Sequence, residues 1–169
     1  MVPGEIVTTD EGYAVGIDVD KDILKIAVVE RHKNTHHIGI GYVKGYGLKS
    51  GAVATSISHD SHNIIVIGAN EADMAAAVNR VVEMNGGIVV WDGESAKGEL
   101  QLEIAGIMSE EPLVEVNRKL EAAKEAAFAL GVNRGIDPFM TMSFVALPVI
   151  PTLRITTRGV FEVTKQKYV

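Results

Sequence analysis

The segment IIVIGANEADMAAAVNRVVEMNGGIVVWD, residues 64–92, carries three successive patterns, and their order sets the fold class of the chain. Residues 64–67 form a short apolar run of strand length. Asn70 then has the chemistry of an N-cap, because its side-chain oxygen can accept a hydrogen bond from an amide that the first helical turn leaves unpaired. Met74, Ala77, Val78, Val81 and Val82 follow at i, i+3, i+4, i+7 and i+8, which is one face of a helix. Gly86-Gly87 stops that helix, and Ile88-Val89-Val90-Trp91 reads as a buried strand entering the Asp92-Gly93 turn signal.

The same two periods extend outward. Residues 23–29 are short, β-branched and bounded by charge, and residues 37–43 place Ile38, Ile40 and Tyr42 on one strand face with Gly39 and Gly41 on the other, which implies close packing on the glycine side. Residues 52–57 are a further apolar strand, and another is expected near residues 99–104. A second helix is introduced by Ser109-Glu110-Glu111-Pro112 and stepped by Leu113, Val116, Leu120, Ala123, Ala127 and Leu130 until Gly131. Asp137-Pro138 caps a short apolar helix over residues 139–144, Pro148 and Pro151 break the run, and residues 160–163 form a last strand. The chain therefore reads as α+β: a single domain over residues 21–169, with one layer of mixed β-sheet covered by two long helices and one short helix. Residues 1–20 read as a lead-in arm or linker with a weakly alternating edge strand at 13–19.

Composition narrows the chemistry. The 169 residues include 16 Lys+Arg, 22 Asp+Glu, five His and no Cys, for a formal net charge of −6. Without cysteine there is no disulfide framework, thiolate nucleophile, Fe–S cluster or Cys-ligated zinc. The acidic balance, with no basic run or interleaved aromatic stripe, argues against nucleic acid. The longest apolar stretch, residues 139–150, contains Thr141, Ser143 and Pro148 and is shorter than the roughly 20 residues of a membrane span. With no leader pattern at the start, a cytoplasmic location is expected and no membrane partner.

Three polar or glycine-rich motifs compete for function. Gly39-x-Gly41-x-x-x-Gly45-x-Gly47 lacks both the G-x-G-x-x-G spacing and a P-loop G-K-[ST], so strand packing accounts for it better than phosphate binding. Ser58-His59-Asp60-Ser61-His62-Asn63 is a dense polar hexapeptide between two apolar strands, where scaffolds present catalytic groups. It supplies two imidazoles able to move protons near neutrality, a carboxylate that can fix their tautomers, and hydroxyl and amide groups for a substrate. His59, Asp60 and His62 are the catalytic candidates, and Ser58, Ser61 and Asn63 the substrate-binding ones. Three adjacent loop residues do not complete a metal shell, and a solvated turn would use the same Ser, Asp and Asn to satisfy backbone groups. In Arg31-His32-Lys33-Asn34-Thr35-His36-His37, read as a turn, Arg31 can orient a carboxylate or dock a neighbouring domain. Phe139, Met140, Met142 and Phe144 read as core.

Arg31-His32, the run from Gly39 to Leu48, Ser58 to Gly68, Asn79-Arg80, Gly86 to Val90, Ala105-Gly106-Ile107-Met108-Ser109 and Pro138 to Phe144 together resemble the C-terminal domain of bacterial and archaeal adenine deaminases of the amidohydrolase superfamily. The resemblance runs in consistent order over residues 23–169. It implies an enzyme that converts adenine and water to hypoxanthine and ammonia with a divalent metal, Mn, Fe or Zn, held in a (β/α)₈ barrel. The chain has no His-x-His motif and is too short to hold a barrel of about 250 residues as well as this domain. The resemblance therefore implies a fragment or separately encoded part that binds no metal itself and is inactive alone. Its partners would be the metallo-barrel, adenine and further copies in a homo-oligomer, with residues 59–63 closing over the barrel's site and Arg31 and His32 beside them as further substrate-binding candidates. Two other readings stand next to it: a non-catalytic purine-binding or oligomer-assembly module, and an independent hydrolytic metal site on His59, Asp60 and His62.

Overall fold

A computed structural model describes Met1 and residues 5–169. Its main element is a six-stranded sheet formed by β1 (Leu24–Val29), β2 (Ile38–Val43), β3 (Ala52–Thr55), β4 (Ile64–Gly68), β5 (Gly87–Asp92) and β6 (Ser95–Gln101), in the order β2-β1-β4-β3-β5-β6. The α+β class holds, and every strand pairing is antiparallel rather than mixed. The strand–helix–strand pattern of residues 64–92 suggests a parallel pair, and β4 and β5 do run parallel. β3, however, lies between them and pairs antiparallel with both.

Helix α1 (Glu71–Glu83) covers one face of this sheet. Asn70 caps it through the Asp73 amide at 2.8 Å, and the Asp73 carboxylate accepts from the Gly93 amide at 3.1 Å, fastening the helix start to the β5–β6 turn. Met74, Ala77 and Val81 bury against Ala27, Ala52, Ala54, Ile64, Val66 and Val89. Val82, counted on the apolar face from its spacing, faces solvent. Ile26, Val28, Val53, Ile65, Ile67, Ile88 and Val90 form the opposite face with Tyr46 and Leu48. Helices α2 (Leu113–Ala129) and α3 (Pro138–Val145) lie over that face, which explains why β3 and β4 are buried throughout.

Beyond the expected single layer there is a second, three-stranded sheet of β7 (Leu153–Thr156), β8 (Gly159–Glu162) and β9 (Lys167–Tyr168). It packs on the glycine face of β2. A Cβ on Gly39 would stand 1.8 Å from the Thr156 carbonyl oxygen, and one on Gly41 would stand 2.9 Å from Val160 Cγ2. Ile38, Ile40 and Tyr42 consequently point outward, and Ile38 and Ile40 are both more than half exposed.

Residues 13–19 form no strand. Asp18 and Ile23 bridge instead across a turn, with reciprocal amide bonds of 2.8 Å. Upstream, Thr8 exchanges backbone bonds with Pro151 and Thr152, and the Arg154 guanidinium donates to the Ile6 carbonyl, so the lead-in is joined to the second sheet.

Candidate functional site

The antiparallel pairing of β1 with β4 sets Val29 opposite Ile64 and so brings the chain leaving β1 beside the chain entering β4. Arg31 and His32 meet the 58–63 loop there. The Arg31 amide donates to Asn63 Oδ1 at 3.1 Å and its Nε to the His62 carbonyl at 2.9 Å, while His32 Nε2 donates to the Ser61 carbonyl at 2.6 Å. A carbonyl can only accept, so that contact fixes the proton of His32 on Nε2. Behind them Glu30 takes the amides of His32, Lys33 and Thr35. Those donors, the Thr35 amide foremost, hold its carboxyl at about 2.

Inside the loop, the His62 amide donates to the Ser58 carbonyl at 2.7 Å and Asn63 Nδ2 to Ser61 Oγ at 3.1 Å. The His59 amide donates to the Ser143 carbonyl of α3 at 3.1 Å, and the His59 ring centroid lies 5.0 Å from Phe144 and 5.9 Å from His62. Ser58 Oγ and His62 Nδ1 are buried with no hydrogen-bond partner among the described residues. Burial, then the neighbouring His59 and Arg31, push the His62 pKa down, so its ring stays neutral near neutrality and can accept a proton. Asp60 differs from the rest: its carboxylate is exposed and stands 3.9 Å from His59 Nδ1, too far to fix a tautomer by hydrogen bonding.

The fold thus gathers His59, His62, Ser58, Ser61, Asn63, Arg31 and His32, with Asp60 at the rim. Among the described residues no three His, Asp or Glu side chains converge where a metal would bind. Sequence reasoning misses three contributors. Phe144, read as core together with Phe139, Met140 and Met142, lies against His59. The helical spacing carries that signal, since Phe139 and Met142 bury while Met140 and Phe144 turn outward from them. Ser56 and Gly106 are the others: the Ser56 hydroxyl donates to the Gly106 carbonyl at 2.6 Å and accepts from the Gly87 amide at 2.8 Å, which holds residues 104–108 beside Arg31.

The glycine series is accounted for as well. The amides of Gly45 and Gly47 donate to the two oxygens of Asp22 at 2.7 and 2.8 Å, so the chain's own carboxylate occupies the donors a phosphate would use. Cavities of about 280 and 470 Å³ lie along the lead-in arm, bordered by α3 and by β7 respectively, and none of the histidines lines either. The imidazoles of His59 and His62 are partly buried, and Asp60 and Ser61 at the rim are exposed.

The family model described as adenine deaminase C-terminal domain matches residues 4–167. The chain is 46% identical over 177 residues to the adenine deaminase of Desulfatibacillum aliphaticivorans, covering 100% of this chain and 31% of that protein. It is 45% identical over 172 residues to adenine deaminase 1 of Rhizobium meliloti strain 1021, covering 98% of this chain and 30% of that protein. With the adenine deaminase of Bacillus subtilis strain 168 it shares 46% identity over 152 residues, 90% of this chain and 26% of that protein. The chain spans less than a third of the length of these curated relatives.

Proposed function

The chain belongs to the adenine deaminase C-terminal domain family, and from that premise we propose that it is the part of an adenine deaminase that presents its 59–63 loop to a metal-bearing barrel carried by the rest of the protein. The observation that carries this reading is the match of nearly the whole chain to under a third of proteins named adenine deaminase. The part-exposure of His59 beside the exposed Asp60 supports it, since that rim gains further shelter from water against a partner. In the reaction so read, the oxygen of water bonds to the purine carbon that bears the amino group, and the C–N bond breaks. Hypoxanthine forms, and the departing nitrogen takes up a proton to leave as ammonia.

The described residues of this chain do not fit a metal, and the divalent Mn, Fe or Zn that this reading requires belongs to the barrel. The part of this chain is confined to protons and contacts. His62 accepts a proton and His59, near both His62 and Phe144, passes one on; Asp60 adds negative charge at the rim, while Ser61, Asn63 and His32 supply polar atoms toward adenine and Ser58 itself is buried. The same reading places the enzyme in the cytoplasm as a homo-oligomer. The uncharged, outward Ile38, Ile40 and Tyr42 support an association surface.

Ammonia release from adenine tests this, with Mn²⁺, Fe²⁺ or Zn²⁺ added, for the chain alone, for the complementary portion of a relative, and for the two mixed or fused. Activity is expected only when both are present. His59→Ala and His62→Ala in the fusion should each lower turnover by a factor on the order of 10²–10⁴. Undiminished turnover in both variants would remove the loop from the reaction, and activity of the chain alone would overturn the division of labour.

A further inference from the structure

Arg31 is the residue on which three segments of the site converge. Its amide holds Asn63 Oδ1, its Nε holds the His62 carbonyl at 2.9 Å, and its Nη2 holds the Ala105 carbonyl at 2.7 Å. Its remaining terminal nitrogen lies against Gly106. A Cβ there would stand 2.0 Å from Nη1 and 2.7 Å from Cζ, and Gly106 has a φ of +75°, a conformation that L side chains rarely adopt. The seat is itself anchored, because the Ser56 hydroxyl, held in turn by the Gly87 amide, donates to the Gly106 carbonyl. The guanidinium thus donates from Nε to the imidazole loop and from Nη2 to residues 104–108.

A substrate-binding arginine offers its fork to solvent or to a cavity. Here Nε and Nη2 end on two backbone carbonyls, and Nη1 is set against a glycine. We infer that Arg31 is a positioning residue, seated on Gly106, that ties the 59–63 loop to residues 104–108 and thereby fixes where the His62 ring stands, rather than a group that binds substrate. The inference deepens the proposed function and rests on it only for the claim that the loop is catalytic; the tie itself is a property of this chain.

The charged and titratable groups that face His62 are Arg31 and His32 from the end of β1, and His59 and Asp60 from its own loop. Their arrangement makes the tie measurable in the 169-residue chain by NMR titration of His62 together with amide exchange across residues 59–63. Arg31→Met removes both ties and the charge, so His62 should titrate higher and the loop amides should exchange at least tenfold faster. Arg31→Lys keeps the charge but cannot reach both carbonyls, so exchange should quicken nearly as much while the titration moves less. Gly106→Ala leaves Arg31 in place and pushes its guanidinium off the seat; it should reproduce the loosened loop even where Arg31→Met fails to fold. A purely structural arginine would lower the melting temperature without quickening exchange across residues 59–63 in Arg31→Lys, and that result would overturn the inference, as would unchanged exchange in Gly106→Ala. In the fused enzyme, a loosened loop with undiminished kcat would count against the proposed function and leave the positioning role standing.

Discussion

At the scale of single residues, His62 and Glu30 are both held below their ordinary values, and both couple folding to acid. His62 is lowered from 6.5, chiefly by burial. A histidine kept neutral by the fold contributes stability above its unfolded pKa, and that contribution is lost as pH falls through the lower folded value. Glu30 is lowered from 4.5 to about 2 by the amides of Thr35, Lys33 and His32. Its contribution is complete above 4.5 and is lost as pH falls toward about 2. Acidification should therefore loosen the site in two separate steps, the 59–63 loop below pH 6.5 and the turn after β1 between pH 4.5 and about 2. NMR shifts followed from pH 7.5 to 2 check this: His62→Gln should abolish the first step and leave the second, and a single merged transition would contradict the assignment. The polar hexapeptide is legible in the sequence because six hydrogen-bonding residues stand between two apolar strands. The apposition of Arg31 to Gly106 is not legible, since it depends on antiparallel register between segments whose sequences carry no mark of their pairing.

At the scale of elements, legibility follows the strength of the local period. Both long helices can be read because their apolar residues recur at three and four, and Asn70 marks the start of α1 with a side chain that does cap it. The second sheet is obscured by its own chemistry. Its first strand follows Pro148 and Pro151, alternates a buried arginine with a buried isoleucine, and so resembles a broken loop. The glycines of β2 are the imprint of that sheet on the strand beneath it. Gly39→Val puts side-chain atoms where the Thr156 carbonyl and the Gly159 amide now stand, and both obstacles are backbone. Overpacking of this kind costs about 1–3 kcal/mol or more, so the melting temperature should fall by at least several degrees, with β7 and β8 losing exchange protection before β3 and β4. Ile40→Thr on the outward face of the same strand should stay within roughly 0.5 kcal/mol of the parent and serves as its control. Equal losses at the two positions would mean that the second sheet is not seated on the glycine face.

At the scale of the whole molecule, the question is whether the lead-in belongs to the folded unit. Its composition suggests a linker, yet its hydrogen bonds run to the opposite end of the chain. Thr8 Oγ1 donates to the Leu153 carbonyl at 2.6 Å and accepts from the Leu153 amide at 3.0 Å, and Arg154 reaches Ile6 and Pro151 with Nη2. Arg154 is 1% exposed, and its Nε and Nη1 have no partner among the described residues, so the Ile6 carbonyl is one of only two acceptors that offset burial of its charge. Deleting residues 1–12 removes that acceptor and the Thr8 pairing together. Hydrogen bonds to charged groups contribute about 1.5–3 kcal/mol each and neutral ones about 1 kcal/mol, so the Arg154–Ile6 bond and the two Leu153 bonds of Thr8 Oγ1 by themselves predict a loss of roughly 3–5 kcal/mol. For a domain of this size that corresponds to a fall of about 6–20 °C in melting temperature. Arg154→Met within the full chain separates the two contributions. An apolar side chain of similar length needs no acceptor, so the deletion should cost less in Arg154→Met than in the parent, by about the value of the charged bond. If the deletion leaves the melting temperature unchanged, the arm is a passive leader and the folded unit starts after it. A large, Arg154-dependent loss would make the segment around Ile6 and Thr8 part of the folded unit rather than a linker to it.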